Sequence, residues 1–184
     1  DVAKVVGSRM LVAGSALVLV GRRGTELGGS VYQQLFGTVG GPLPPLDLVG
    51  EQRRAWAVAD AIQGGLVTAC HDISDGGLLG CLAEMALGVK GDGDIGAVVD
   101  LTAATSSEIT GACFGEHGGF VLLAAPGKSD DLSAFLLERE VDPIVIGRAI
   151  PDRLRVETKS KVLMDIRLDQ IRAPWLSGVE EAMR

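Results

Sequence analysis

Short apolar runs rich in β-branched residues alternate along this chain with segments whose apolar residues recur every three or four positions. That alternation limits the fold more than any other feature. Residues 15–20 (SALVLV), 66–70 (LVTAC), 95–101 and 120–125 (FVLLAA) read as strands. Residues 31–36, 47–63, 76–87, 106–113 and 130–140 read as helices, the third with Leu78, Cys81, Leu82 and Met85 along one face. In the second, Trp56, Ala57, Ala61 and Ile62 share a side, and Gly64-Gly65 stops it. Ser129 stands where it can cap the helix over 130–140, with Asp130 and Asp131 in the first turn. Three more strands (143–149, 154–158, 162–166) precede a final helix over 168–183 that Pro174 should kink or restart. This pattern specifies an α+β domain, an α/β/α three-layer sandwich around a mixed β-sheet.

Composition narrows the function classes. The 184 residues carry 24 acidic and 17 basic side chains, a net charge of −7, which argues against nucleic acid or an anionic membrane as partner. A 47% hydrophobic share excludes intrinsic disorder. The longest apolar stretch, residues 11–20, is too short to span a bilayer. Cys70, Cys81 and Cys113 are odd in number and far apart, so they read as buried reduced thiols of a cytosolic protein. Residues 1–14 read as the tail of a preceding domain or a linker, and 15–184 as a single domain. A first residue other than Met, followed so soon by a strand, suggests a piece of something longer.

The segment richest in chemistry is His71-Asp72-Ile73-Ser74-Asp75-Gly76-Gly77, between a strand and a helix. Free N–H groups at a helix beginning at Gly76-Gly77 suit a phosphate. The nearby carboxylates would repel that anion unless a divalent cation lay between, and Mg²⁺ takes one or two carboxylates together with phosphate oxygens and water. On this account Asp72 or Asp75 holds the metal and Ser74 meets a phosphate oxygen. On the other account Asp72 and Ser74 merely cap the helix, and the glycines serve tight packing.

Other motifs are less telling alone. Gly24–Ser30 (GTELGGS) resembles a phosphate-cradling loop, with Gly28, Gly29 and Ser30 as its candidate contacts, but lacks a P-loop ending; a turn is the competing account. Residues 114–120 (FGEHGGF) place Glu116 and His117 in what reads as a solvent-exposed turn, and GDGD at 91–94 reads as a turn too. No Ser/His/Asp or Cys/His set can be assembled, so no catalytic residue is assigned.

Taken together, the motifs resemble those of the phosphoribosylformylglycinamidine synthase family, within the aminoimidazole ribonucleotide synthetase-like superfamily. Residues 26–32 match its ELGGSxY, 71–78 its HDxSDGGL and 82–86 its LAEMA. Phe114-Gly115-Glu116 sits where the family has F-x-E, though His117-Gly118-Gly119 then departs from its pattern, and the tail from 168 is similar to its closing helix. The resemblance implies the C-terminal domain of the synthetase, with the fold of the aminoimidazole ribonucleotide synthetase C-terminal domain. It implies an ATP- and glutamine-dependent carbon–nitrogen ligase acting on formylglycinamide ribonucleotide in the cytoplasm. Mg²⁺ and ATP or ADP would be shared with the remaining synthetase domains, and a glutaminase domain or subunit would supply ammonia. By resemblance Asp72 binds Mg²⁺ and Ser74 contacts the nucleotide. Alternatives are a domain of selenophosphate synthetase, thiamine-phosphate kinase or a hydrogenase-maturation protein, or a non-catalytic structural domain.

Overall fold

The computed structural model describes residues 1–87, 94–104 and 108–182, with side chains as far as residue 178. Its strands are β1 (Ala16–Val20), β2 (Val67–Asp72), β3 (Ile95–Asp100), β4 (Phe120–Ala124), β5 (Pro143–Pro151), β6 (Arg153–Glu157) and β7 (Val162–Arg167). They form one sheet in the order β2-β4-β1-β5-β3-β6-β7, in which β3 and β6 run parallel and the other neighbours antiparallel. The helices are α1 (Val31–Leu35), α2 (Leu48–Gln63), α3 (Gly77–Leu87), α4 (Ile109–Phe114), α5 (Ser129–Leu137) and α6 (Leu168–Ala182).

The unbroken apolar run of β1 follows from burial on both faces. Leu17 and Leu19 pack into a cluster with Leu78, Leu82 and Met85 of α3, while Val18 and Val20 join Ala57, Val58 and Ala61 of α2 and Leu132 and Leu136 of α5. Helices therefore cover both faces, and the expected three-layer sandwich is what the chain forms. At the other end of the sheet only one face is apolar. Leu154 and Val156 point into the core, while Arg153 pairs with Asp165 at 2.6 Å and Arg155 with Glu157 at 2.8 Å.

Local details depart from the sequence expectations. Lys128, not Ser129, is the residue before α5, and no side chain caps it; Lys128 instead pairs with Asp131 at 2.7 Å. Trp56 is exposed, because Ala57, Val58 and Ala61 occupy the buried stripe of α2. Pro174 does not interrupt α6, since it lies on the exposed side, where water can satisfy the carbonyl that loses its partner. Residues 1–14 lie along the domain: Gly7 bridges Ala69, and Met10 is buried with its N–H on the Met85 carbonyl at 2.9 Å. Cys81 and Cys113 are buried as expected, Cys70 half-buried. Residues 91–93 of the expected turn, 106 and 107 at the expected start of α4, and 183 lie outside the described residues.

Candidate functional site

The expected loop at 71–75 begins two residues late. His71 and Asp72 continue β2 by pairing with Val121 and Phe120 of β4. Ile73 then turns inward and donates its N–H to the Gly119 carbonyl at 2.8 Å. Gly76 and Gly77 take φ of +79° and +66°, a left-handed turn that swings the chain into α3 and that other residues adopt only at a cost. A Cβ on Gly77 would come within 2.7 Å of the Phe114 backbone, so this glycine is required by the contact between the head of α3 and the end of α4.

Asp72, Ser74 and Asp75 remain exposed on the rim of this turn. The His71 ring lies between two carboxylates, with Nδ1 3.2 Å from Asp72 Oδ1 and Nε2 3.1 Å from Glu84 Oε2, and so links the end of β2 to α3. Among the described residues no three His, Cys, Asp or Glu side chains converge to hold a metal. A cation at Asp72 must therefore draw most of its ligands from phosphate and water, a donor set that fits Mg²⁺ carried in with a nucleotide.

The backbone amides do not stand open as expected. Gly77 donates to the Ser74 carbonyl at 3.0 Å, and Gly76 donates to Glu116 Oε1 at 2.9 Å. That same oxygen accepts the Val31 N–H at 2.9 Å. Loss of partners on folding is costly enough that these donors have found acceptors within the chain.

The Gly28–Ser30 turn is satisfied more completely. Gly28 donates to the Pro42 carbonyl at 3.1 Å, Gly29 to Gln33 Oε1 at 3.1 Å and Ser30 to the Leu27 carbonyl at 3.2 Å. Ser30 is buried; its hydroxyl donates to Leu27 at 2.7 Å and accepts from the Gln33 N–H at 3.4 Å, capping α1. For these three residues the geometry supports the account of a turn.

Residues 114–119 are not the exposed turn expected of them. The His117 side chain is only 7% exposed and donates Nε2–H to Glu26 Oε2 at 2.9 Å, a bond that holds the Glu26 carboxyl below its ordinary range. Buried Arg23 reaches the carbonyls of Gly115, at 3.3 Å, and Gly118; desolvation lowers its pKa to about 10. Tyr32 stacks on Phe114 with ring centroids 5.0 Å apart. The loop is thus a half-buried frame, with Gly115 and Gly119 buried, and Glu116 projects from it to both glycine-rich turns. Sequence reasoning missed this role. The available signal was a carboxylate in a glycine-flanked segment, with nothing to pair it with Val31 or Gly76. A cavity of about 930 Å³ beside the frame is lined by Arg23, Glu26, Glu51, Arg54 and His117, but not by Asp72 or Ser74.

The thiols offer no nucleophile. Burial, with a smaller effect of Asp72, pushes Cys70 up to about 12; burial alone takes Cys113 to about 11, and Cys81 rises as well. No helix among the described residues is long and apolar enough to cross a membrane.

With this geometry in place, comparison with known proteins is informative. Residues 12–159 match the family described as AIR synthase related protein, C-terminal domain. Over its whole length the chain is 29% identical to the phosphoribosylformylglycinamidine synthase subunit PurL of Methanothrix thermoacetophila and 34% identical to that of Moorella thermoacetica. It spans 24% of each, about a quarter of the relatives' length. The solved structure of T. maritima PurL complexed with ATP matches with a TM-score of 0.73 at 20% identity, over 92% of this chain and 27% of that one. A thiamine-monophosphate kinase from Stenotrophomonas maltophilia matches with a TM-score of 0.54 at 17% identity, over 88% of this chain and 55% of that one. At such identities the likeness is one of fold.

Proposed function

The chain belongs to the AIR synthase related protein C-terminal domain family, and from that premise we propose that it is the C-terminal domain of a phosphoribosylformylglycinamidine synthase. The single observation that carries this reading is similarity to PurL subunits along the entire chain, through both glycine-rich motifs. The whole enzyme would use ATP to activate the formyl amide oxygen of formylglycinamide ribonucleotide, which ammonia from glutamine then displaces, in the cytoplasm. The remaining synthetase domains and a glutaminase domain or subunit would complete it. This chain supplies no catalytic residue and is inactive alone.

Its own part is to bind and orient. The Asp72 carboxylate, exposed at the end of β2, would hold Mg²⁺ jointly with a nucleotide's phosphates. Bound there, the ion would screen phosphate charge from Asp72 and Asp75. Ser74 presents its hydroxyl on the same rim, and Gly76 and Gly77, whose amides are bonded within the chain, would meet a nucleotide only if those bonds opened. Gly28, Gly29 and Ser30, proposed from sequence as nucleotide contacts, support that turn through Val31 and Glu116 and touch a nucleotide only if their internal bonds open. The filled amides of that turn favour one rival, a purely structural domain.

Titration of Mg-ADP into a synthetase of which this chain is about a quarter separates the two. The reading expects binding that Asp72→Ala weakens by about ten-fold or more, the scale of one charge-assisted contact. Equal affinity in both proteins ends the metal role of Asp72, and failure of the intact protein to convert formylglycinamide ribonucleotide ends the enzyme assignment.

A further inference from the structure

The half-buried frame at 114–119 has no share in the nucleotide contacts above, yet both motif turns meet it. We propose that Glu116 is a positioning residue that locks the two turns together and thereby sets where Ser74 and Asp72 stand. This rests on the reading of that rim as the nucleotide-binding segment.

One atom carries the argument. Glu116 Oε1 accepts the N–H of Gly76 and that of Val31, each at 2.9 Å, from segments 45 residues apart (76 less 31). Bonds from N–H to an ionised carboxylate are roughly twice as strong as neutral ones. Two donors sharing one oxygen cannot shift independently; movement of either turn pulls the acceptor from the other.

The mount that carries the carboxylate is itself fixed on several sides. Arg23 holds the carbonyls of Gly115 and Gly118, His117 is tied to Glu26, and the Gly119 carbonyl accepts from Ile73. The last bond falls on the residue between Asp72 and Ser74, so the frame grips the proposed nucleotide segment at both Ile73 and Gly76. Glu26, Ser30 and Val31 belong to one motif and Ser74 and Gly76 to the other. Glu116 is the side chain through which the first acts on the second.

The test is hydrogen exchange by mass spectrometry, with Mg-ADP titration, on a synthetase carrying this chain as wild type, Glu116→Gln and Glu116→Ala. In Glu116→Ala, peptides spanning residues 28–35 and 74–80 should both exchange about ten-fold faster, the effect of losing a charge-assisted bond. A peptide from β4 should be unchanged. Mg-ADP affinity should fall by a similar factor, and Glu116→Gln, which retains an acceptor oxygen, should lie between wild type and Glu116→Ala in both readouts.

Unchanged exchange, or a response in one turn alone, overturns the coupling. Faster exchange in both turns with wild-type Mg-ADP affinity overturns the positioning role. If Glu116→Ala unfolds, as its β4 peptide would reveal, Glu116→Gln decides by the same two readouts. Failure of the wild type to bind Mg-ADP overturns the nucleotide reading and the positioning role with it, and the exchange data then record whether the coupling itself exists.

Discussion

The turns at Gly28–Ser30 and Gly76-Gly77 look alike in sequence, each placing two glycines within three residues of a serine close to a helix start, but the fold uses them differently. In the first, glycine and serine amides bond to acceptors within or close to the turn, and Ser30 is buried as a cap. Both turns contain a left-handed glycine and a glycine pressed on backbone, Gly28 on Pro42 and Gly77 on Phe114, but in the second the serine stays on the exposed rim. The difference teaches that a glycine-serine pattern reports backbone geometry first. Whether it also reports a ligand depends on which polar atoms are left facing outward, and here those belong to the second turn.

The sharpest way to break this comparison is to add one methyl group to each turn. Gly77→Ala places a Cβ 2.7 Å from Phe114 and forces alanine into φ +66°. It should cost roughly 4 kcal/mol, a strain on the scale of the largest single-residue effects. Gly28→Ala also meets a neighbour, the Pro42 carbonyl at 2.5 Å, but that neighbour lies in an exposed segment that can yield. Its cost should be about 1–2 kcal/mol. Urea denaturation of both variants measures the difference, and equal losses would mean that the turns are equally constrained.

The serines sharpen the comparison further. Ser30→Ala removes the cap of α1 and should destabilise the protein by about 1 kcal/mol. Ser74→Ala, at an exposed position, should stay within about 0.5 kcal/mol of wild type and reveal itself in Mg-ADP affinity instead. Denaturation and titration on the same two proteins check both expectations; a stability loss in Ser74→Ala would make it a second structural cap.

Much of the sandwich was legible because its signals are local. The apolar run of β1 and the three- and four-residue steps of Leu78, Cys81, Leu82 and Met85 carry their burial in their own spacing. Trp56 shares a side of α2 with Ala57 and Ala61 in the sequence, yet it is exposed because Ala57, Val58 and Ala61 fill the buried stripe. At the site, the exposed rim of Asp72 and Ser74 could be anticipated from a strand that ends in polar residues before a glycine turn. The occupancy of the amides could not. The acceptor for Gly76 is 40 residues away and that for Val31 is 85 away, and no periodicity connects them. His117 was placed in an exposed turn for the same reason, since its hydrogen-bond partner, Glu26, lies 91 residues upstream.

That last pair supplies the smallest expected effect, at the edge of the first turn. The bond from His117 stabilises ionised Glu26 and holds its folded-state pKa below the ordinary value of 4.5, with its own backbone and Thr25 adding to the effect. A depressed carboxyl pKa stabilises the fold fully above the unfolded value, and the contribution fades as pH falls through the folded one. Wild type should therefore lose stability relative to Glu26→Gln as pH drops below about 4.5. Asp100 and Asp169 are depressed as well, by bonds to Thr102 and Arg167, and contribute to the acid limb in both proteins, so only the difference between the two curves belongs to Glu26. Parallel curves would make the pair electrostatically neutral and leave the burial of His117 to packing alone, with the second turn's frame held by Arg23 and Ile73.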